Sequence, residues 1–376
     1  MSASVYLDYN ATAKVRPEAA EAMARALALG ANPSSVHAAG RAARALMEVA
    51  RAEVAALAAC DEACVTFVSG GTEANALAID SAIESGFTHI LLSATEHDSV
   101  RETVIAGGCP IEVWPVDADG LADLDWLRSR LAGGARPLVC LMLANNETGI
   151  IQPVARAAEL VREAGGWLHV DAVQAGGKVG LDFPALGADT LALSAHKLGG
   201  PQGVGALIAG PRATLVRRLR GGGQERGRRA GTENLPGIAG FGAAARAAME
   251  DLPAMAGRSA WRDALASAVS AVGAVVLGAG APRLPQTLCF ALPGFASDLQ
   301  VMAMDLAGVM ISAGAACSSG KVKSSGVIEA MGRRDLSGFG VRVSGGWAST
   351  AADWARCGEA WLGAVEVRSV RRREFA

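Results

Sequence analysis

The sequence lacks the features that would place the protein in a membrane or outside the cell. No apolar run reaches the roughly eighteen residues that a transmembrane helix needs. The N-terminal stretch MSASVYLDYNATA has neither the basic start nor the apolar segment of a secretory signal peptide. We therefore expect a cytoplasmic protein that is not anchored in a membrane.

Cysteine is scarce, and the spacing of the cysteines indicates neither a disulfide framework nor a zinc site. The chain has seven cysteines, an odd number, and no CxxC pair. A disulfide framework is therefore not expected, and a reducing compartment is the default. Cys60 and Cys64, in CDEAC, lack companion ligands at zinc-site spacing. We predict that they are small buried side chains.

An excess of positive charge is also missing. The formal net charge is −2, which argues against a dedicated nucleic-acid-binding protein. The 376 residues are many for one core, so we expect two domains or one large domain with an appendage. A hydrophobic content of 51% with 46 glycines fits a compact α/β protein.

Helical and strand signals alternate along most of the chain. Pro17 stands at the favoured first position of a helix that Gly30 should end, and a second amphipathic stretch covers about residues 37–59. Short apolar segments follow, each of the length of a strand buried on both faces. They are CVTFV, HILLS, PLVCLMLA, GWLHVDA, DTLALSA and GVGALIAG. The alternation predicts a mostly parallel sheet flanked by helices.

The order of predicted helices and strands changes near residue 248. A helix should run to about Met249, followed by another helix, the strand segments TLCFAL, GVMISAG and VRVSG, and a terminal helix. We predict a large domain over residues 14–248. A smaller α+β domain would combine residues 1–13 and 249–376.

Ligands collect beyond the carboxyl ends of strands in open parallel sheets, so the polar residues there are candidates for a site. In VTFVSGGTEANALAI, Ser69 to Thr72 lie between a strand and a helix. Free N–H groups at a helix start suit a phosphate, although a simple helix cap is as good an interpretation.

An acid and an amine follow two consecutive strand segments. Asp171 ends WLHVD, with Gln174 three residues on, and Lys197 follows LALSAH. The pair could be a buried ion pair, which is costly to desolvate. Alternatively, Lys197 could form a Schiff base. Pyridoxal phosphate would unite these features, since it needs a lysine, an acidic partner for its ring nitrogen and a phosphate site.

Eight motifs, in order, resemble the pyridoxal-phosphate cysteine desulfurases of the NifS/IscS type, members of the class V aminotransferase family. They are YLDYNATA, SGGTEANALAI, TEHDSV, ANNETGIIQP, HVDAVQ, SAHKLGGPQGVG, GGGQERGRRAGTEN and SAGAACSSGK. The resemblance covers nearly the whole chain. It implies the fold of the fold type I, aminotransferase-like pyridoxal-phosphate enzymes, a homodimer and no resident metal.

The resemblance implies a role for each matching residue. Lys197 would carry the cofactor and remove the α-proton, Asp171 would pair with the pyridine nitrogen, and His97 would stack on the ring and assist proton transfers. Without the resemblance, His97 reads as a core histidine and Arg342 could be a surface ion pair. The other implied cofactor-binding residues are Gln174, at the phenolic oxygen, and Gly71, Thr72, Asn146, Ser194, His196 and, from the neighbouring subunit, Thr232. The implied substrate-binding residues are Arg342, Asn146 and Asn10.

Cys317 occupies the place of the nucleophile in the family. Its thiolate would attack the sulfur of L-cysteine, leaving a persulfide on the enzyme and releasing L-alanine. The Gly/Ala/Ser-rich loop around it, about residues 313–326, would be a mobile tether. The loop would then deliver the sulfur to an acceptor such as an iron–sulfur scaffold, whose cluster Cys317 could transiently ligate. Lys321 and Lys323 could attract an acidic partner or simply be solvated.

One position departs from the family pattern. Members commonly carry a second arginine in R-x-S-x-G-R, whereas this chain reads RVSGGW, with Trp347 in that place. The departure puts the local loop geometry in doubt more than the reaction.

Three other functions stay open from the sequence. The chain could be a class V aminotransferase or β-lyase in which Cys317 is incidental, or a selenocysteine lyase. A non-catalytic partner protein that binds pyridoxal phosphate is the third. The intact set of Lys197, Asp171, His97 and Arg342 argues against this last one.

Overall fold

The computed structural model describes residues 4–133, 136–314 and 324–374, with side chains up to residue 369. The first helices follow the sequence signals. The helix that begins at Pro17 is followed by Gly30 with φ of 56°, a left-handed conformation that glycine adopts without strain. The described α-helices, in chain order, are α1 (Pro17–Leu29), α2 (Ala38–Leu57), α3 (Gly71–Glu84), α4 (Asp98–Ala106), α5 (Leu124–Leu131), α6 (Val154–Glu163), α7 (Phe183–Leu186), α8 (Leu235–Glu250), α9 (Leu252–Gly257), α10 (Ser259–Ser270), α11 (Ser297–Leu306), α12 (Gly326–Ala330) and α13 (Ala351–Glu374).

The strands are short, and most are buried on both faces. The described β-strands are β1 (Val5–Tyr6), β2 (Val65–Val68), β3 (Ile90–Ser93), β4 (Ile111–Trp114), β5 (Leu138–Cys140), β6 (Trp167–Asp171), β7 (Thr190–Ser194), β8 (Gly205–Ala209), β9 (Val275–Val276), β10 (Thr287–Ala291), β11 (Val309–Met310), β12 (Ser312–Ala313) and β13 (Gly340–Ser344). The segment GVMISAG, read as one strand, forms the two strands β11 and β12.

A seven-stranded sheet in the order β2-β8-β7-β6-β5-β3-β4 forms the centre of the molecule. Strands β3 to β7 pair in parallel, and β8 runs antiparallel between β7 and β2. The prediction of a mostly parallel sheet is confirmed. Strand β4 was not predicted because it is an edge strand, and its residue Glu112 interrupts the apolar run.

Helices cover both faces of this sheet. One core cluster packs α1, α2 and α8 on one face, with side chains such as Met47, Val54 and Phe241 fully or nearly buried. A second cluster on the other face includes Ile79 and Val104. Burial on both faces explains why these strands read as continuous apolar runs rather than as alternating patterns.

The C-terminal third contains a four-stranded antiparallel sheet in the order β12-β13-β10-β9. Strand β1 pairs in parallel with β11, which brings the N-terminus to this part of the molecule. A separate core cluster here includes Val5, Phe290 and Trp361. We propose that this cluster is the core of the smaller domain, while a further cluster joins Ile150 to Leu277 across the division near residue 248. None of the helices in the described ranges is long and apolar enough to cross a membrane.

The topology sets the position of the polar residues. Strands β6 and β7 are parallel neighbours in which Asp171 is level with Ala192. Their carboxyl ends therefore open at the same edge of the sheet, where ligands bind in such folds.

Candidate active site

A cavity of about 310 Å³ opens beyond the ends of β6 and β7. It falls within the roughly 300–1,000 Å³ that small-molecule sites usually occupy. Of the site residues predicted from the sequence, all but Thr232 line it within the part of the chain that the structure describes. Those that line it are Asn10, Gly71, Thr72, His97, Asn146, Asp171, Gln174, Ser194, His196, Lys197 and Arg342.

Lys197 lies on a short 3₁₀ turn, Ala195–Lys197, that directly follows β7. Its Nζ donates to the main-chain oxygens of Asn10 at 2.6 Å and Ala11 at 2.9 Å. The N-terminal segment therefore crosses over the lysine and fixes the position of its amine at the cavity wall.

Asp171 closes β6 and is 6% exposed. Its Oδ1 accepts from the main-chain N of Val173 at 2.9 Å, and its Oδ2 accepts from Nδ2 of Asn75 at 2.8 Å. Two donors thus hold the carboxylate in one orientation, as a fixed partner for a protonated ring nitrogen requires.

The start of α3 forms a close-fitting wall beside Ser194. A Cβ added to Gly71 would lie 2.7 Å from Cγ2 of Val173 and 3.5 Å from Cβ of Ser194. A side chain here would fill the space in front of the first N–H groups of the helix. The free N–H groups and the hydroxyls of Thr72 and Ser194 fit an anion such as a phosphate.

Arg342 lies on β13 and is 4% exposed. Nη2 donates to Oδ1 of Asp8 at 2.6 Å, and Nη1 donates to the main-chain oxygen of Asn146 at 3.1 Å. Its buried Nε has no hydrogen-bond partner among the described residues. An unsatisfied donor on a guanidinium at the cavity wall fits the binding of a carboxylate.

His97 precedes α4 and caps it. Its Nδ1 accepts from the main-chain N of Ser99 at 3.0 Å and lies 2.8 Å from the Ser99 hydroxyl. Because the lone pair of Nδ1 is occupied, the neutral ring carries its proton on Nε2. His97 therefore lines the cavity as a donor.

His196 and Lys178 are two basic groups whose charged forms are disfavoured. Burial, followed by the charges of Lys197 and Lys178, lowers the pKa of His196 to about 4. Burial, followed by the charges of Lys197 and Arg342, lowers the pKa of Lys178 well below its usual range. His196 is therefore expected to be neutral near pH 7, and the charged form of Lys178 is destabilised.

Lys178 was missed by the sequence analysis. Its Nζ donates to Oε1 of Gln174 at 2.6 Å and to Oδ1 of Asn10 at 3.0 Å. The amide of Gln174 is therefore oriented with its oxygen toward Lys178 and its nitrogen toward the Asn10 carbonyl, at 3.0 Å. The signal was the lysine four residues after Gln174 in QAGGK, but nothing in the sequence indicated that it is buried.

One predicted residue, Thr232, lies elsewhere, and another is not described. Thr232 is exposed and borders a separate cavity of about 210 Å³, together with Ser69 and Arg229. Cys317, with Lys321 and Lys323, lies outside the described residues. Gly314, three residues before Cys317, lines the main cavity.

Glu147 contacts residues on both sides of the segment that contains Cys317. Its Oε2 accepts from the hydroxyl of Ser325 at 2.6 Å and lies 2.7 Å from the place of a Cβ on Gly314. Burial is the main reason why the pKa of Glu147 is raised. The sequence analysis assigned no role to this residue.

Trp347 takes a structural position outside the main cavity. Its Nε1 donates to the main-chain oxygen of Lys14 at 2.8 Å, and the Arg16 guanidinium lies 5.2 Å from its ring centre. The tryptophan therefore holds the N-terminal segment that passes over Lys197.

Comparison with known proteins matches residues 5–356 to the aminotransferase class-V family. A cysteine desulfurase of Cereibacter sphaeroides is 42% identical over 322 residues, which cover 83% of this chain and 82% of the relative. The structure is similar to a NifS-like protein from Rickettsia africae, with a TM-score of 0.88, 29% identity and coverage of 96% and 99% of the two chains. It is also similar to SspA in complex with cysteine, with a TM-score of 0.79, 27% identity and coverage of 91% and 98%.

Proposed function

Because the chain belongs to the aminotransferase class-V family and is a cysteine desulfurase, we propose that Lys197 carries pyridoxal phosphate in the main cavity and that Cys317 receives the sulfur of L-cysteine. The observation that carries this proposal is the arrangement of Lys197, Asp171 and Arg342 around one cavity. When bound, the cofactor supplies an aldehyde for the substrate amine and a ring that accepts electrons from the α-carbon.

The cavity offers a matching group for each part of the cofactor. Lys197 would bind the aldehyde carbon, and Asp171 would pair with the ring nitrogen. Gly71, Thr72, Ser194 and His196 would surround the phosphate, and a neutral His196 would act there as a hydrogen-bonding group. Gln174, oriented by Lys178, turns its nitrogen away from that lysine, and we assign it to the phenolic oxygen.

The substrate would be held by its carboxylate at Arg342, next to Asn146 and Asn10. The amine of Lys197 would take the α-proton. His97 would act as a donor, since its Nδ1 is occupied by Ser99. The similarity to SspA in complex with cysteine supports cysteine as the substrate.

The thiolate of Cys317 would attack the substrate sulfur. A sulfur–sulfur bond forms and the carbon–sulfur bond breaks, with its electron pair passing to carbon, so that alanine is released after protonation. Cys317 follows Gly314, which lines the cavity, by three residues, a chain length that spans at most about 11 Å. The persulfide would then pass to an acceptor protein, such as an iron–sulfur scaffold, in a reducing cytoplasm.

We further propose that the protein acts as a homodimer. Thr232 is exposed and does not line the cavity of its own chain. This placement fits a residue that reaches the phosphate in the neighbouring subunit, as the family resemblance implies.

The proposal is tested by measuring alanine and sulfide from L-cysteine with the wild type, Lys197→Ala and Cys317→Ala. We expect both variants to lose turnover, while Lys14→Ala and Cys109→Ala, which lie outside the cavity lining, retain it. Alanine formation that Cys317→Ala leaves unchanged would instead identify a lyase. Wild-type protein that forms neither product would refute the proposed activity.

A further inference from the structure

A chain of polar side chains lies behind Asp171, inside the large sheet. Trp167 and Asp171 are on β6, Thr190 is on β7 and Asn75 is on α3, with His169 between them. Thr190, His169 and Asn75 are 0% exposed, and Trp167 is 2% exposed. Buried polar groups are costly unless their hydrogen bonds are satisfied, so these contacts are informative.

The donor-to-acceptor direction of this hydrogen-bond chain follows from its first member, Trp167. The indole of Trp167 can only donate, and its Nε1 lies 3.3 Å from Oγ1 of Thr190. The Thr190 hydroxyl therefore accepts this bond and has its own proton for Nδ1 of His169, at 3.0 Å. From this side, Nδ1 of His169 is an acceptor and the ring proton is on Nε2.

The contacts at the Asp171 end of this hydrogen-bond chain also place the ring proton of His169 on Nε2. The Asp171 carboxylate can only accept, so the group of Asn75 that faces it at 2.8 Å is the nitrogen Nδ2. Oδ1 of Asn75 then faces Nε2 of His169 at 3.0 Å and requires a proton there. Burial lowers the pKa of His169 to about 4, so the ring is neutral near pH 7 and has one proton to place.

A branch extends from Asn75 to His97. The second N–H of Asn75 Nδ2 points to the hydroxyl of Ser99 at 2.9 Å. The Ser99 hydroxyl then has its proton for Nδ1 of His97, at 2.8 Å. The same series of hydrogen bonds therefore ends at both Asp171 and His97. These are the groups proposed to act on the cofactor ring from different sides.

We propose that His169 and Asn75 are positioning residues, which fix the direction of this hydrogen-bond chain and so present N–H donors to Asp171 and Ser99. The inference rests on the proposed function, since Asp171 and His97 matter to the cofactor only if the cavity binds it. Without the Nε2 proton of His169, the amide of Asn75 is free to rotate. Its oxygen would then face the Asp171 carboxylate and weaken the pairing with the ring nitrogen.

Two substitutions of His169 distinguish the loss of the Nε2 donor from the loss of the imidazole ring. In His169→Gln the amide nitrogen can lie near the place of Nε2 and still donate to Asn75, whereas in His169→Asn it lies near the place of Nδ1. Titration of the cofactor-free full chain with pyridoxal phosphate should give a dissociation constant about 10-fold higher for His169→Asn, the lower end of the loss seen for outer-shell partners of metal ligands. His169→Gln should stay within about twofold of the wild type, a change too small to indicate a lost hydrogen bond.

The wild type offers a second readout that does not depend on how the variants fold. With only five histidines, ¹⁵N-histidine labelling allows each ring to be assigned by NMR from its loss in a variant. We expect His169 to be protonated on Nε2 alone. A proton on Nδ1 would overturn the proposal, as would a wild-type dissociation constant for a folded His169→Asn or equal losses in the two folded variants. A wild type that does not bind pyridoxal phosphate would refute the proposed function instead, and the NMR result would still decide the direction of the chain.

Discussion

Nη2 of Arg342 lies 2.6 Å from Oδ1 of Asp8, so the guanidinium proposed for the substrate carboxylate already has an acidic partner. The Arg342 side chain is 5% exposed and that of Asp8 is 20% exposed, so solvent screens their interaction only weakly. A substrate carboxylate must therefore share the positive charge of Arg342 with Asp8.

Asp8→Asn tests this competition. The substitution keeps an oxygen that can accept from Nη2 and removes the negative charge. We expect the KM for L-cysteine to fall about fivefold, equivalent to ~1 kcal/mol, because the incoming carboxylate no longer meets a like charge. Steady-state kinetics at low ionic strength measures the change. A rise in KM would contradict the prediction and show that Asp8 acts chiefly by holding Arg342 in place. The matched control is Asp335→Asn, which removes a carboxylate from an exposed ion pair.

Lys178→Met tests the orientation of Gln174. Methionine has a similar length but cannot donate to Oε1 of Gln174 or to Oδ1 of Asn10. With the amide of Gln174 released, we expect pyridoxal phosphate to bind about 10-fold more weakly. Absorbance titration of the cofactor-free protein measures this affinity. Lys14→Met changes an exposed lysine and should have no effect; equal affinities of Lys178→Met and wild type would contradict the prediction.

Glu96 should make the fold less stable at alkaline pH. Burial, followed by the charge of Asp171, raises the pKa of its carboxyl from 4.5 to about 8. Between about pH 5 and pH 8 the native state keeps a proton that the unfolded state releases. The free energy of unfolding should therefore fall by ~1.4 kcal/mol per pH unit from this group as the pH rises.

Glu96→Gln removes this titration and keeps the acceptor for the main-chain N of Met142. We expect a flatter pH dependence of the free energy of unfolding, measured by urea denaturation across that range. The exposed Glu102→Gln should keep the wild-type slope. If Glu96→Gln also keeps that slope, the carboxyl is ionised in the native state and the prediction is wrong.

His97 has two separable functions, one at each ring nitrogen. His97→Asn keeps a side-chain oxygen that can cap α4, but it loses the donor at the place of Nε2. His97→Gln can keep that donor, but glutamine is a poor cap, which should cost ~1 kcal/mol of stability. We therefore expect the more stable variant, His97→Asn, to be the less active one. The kcat for L-cysteine and urea unfolding measure the two effects, and a wild-type kcat in His97→Asn would show that the Nε2 donor is not needed.

The sequence predicted the large sheet well because its strands are buried on both faces and read as apolar runs. It missed β4, an edge strand, and β1 and β9, which have only two residues each. Asp171 and Lys197 could be paired from the sequence because parallel neighbouring strands end together. That inference needs only the order of the elements.

The supporting residues were not predictable in the same way. Lys178, His169 and Asp8 act through tertiary contacts, which depend on burial and on the side chain that meets them from another element. Trp347, which put the local loop geometry in doubt, packs on Arg16. A substitution of this kind can be judged only once its neighbours are known.

The covalent attachment of the cofactor tests the account most directly. Lys178 and Lys197 both donate to Asn10, to its side chain and main chain respectively, so two lysine amines lie close to one cavity. Borohydride reduction of the protein loaded with pyridoxal phosphate makes the bond between the aldehyde carbon and the lysine amine permanent, and peptide mass spectrometry then locates it. The account predicts the added mass on Lys197 alone. Label on Lys178, or a protein that takes up no label, would contradict it.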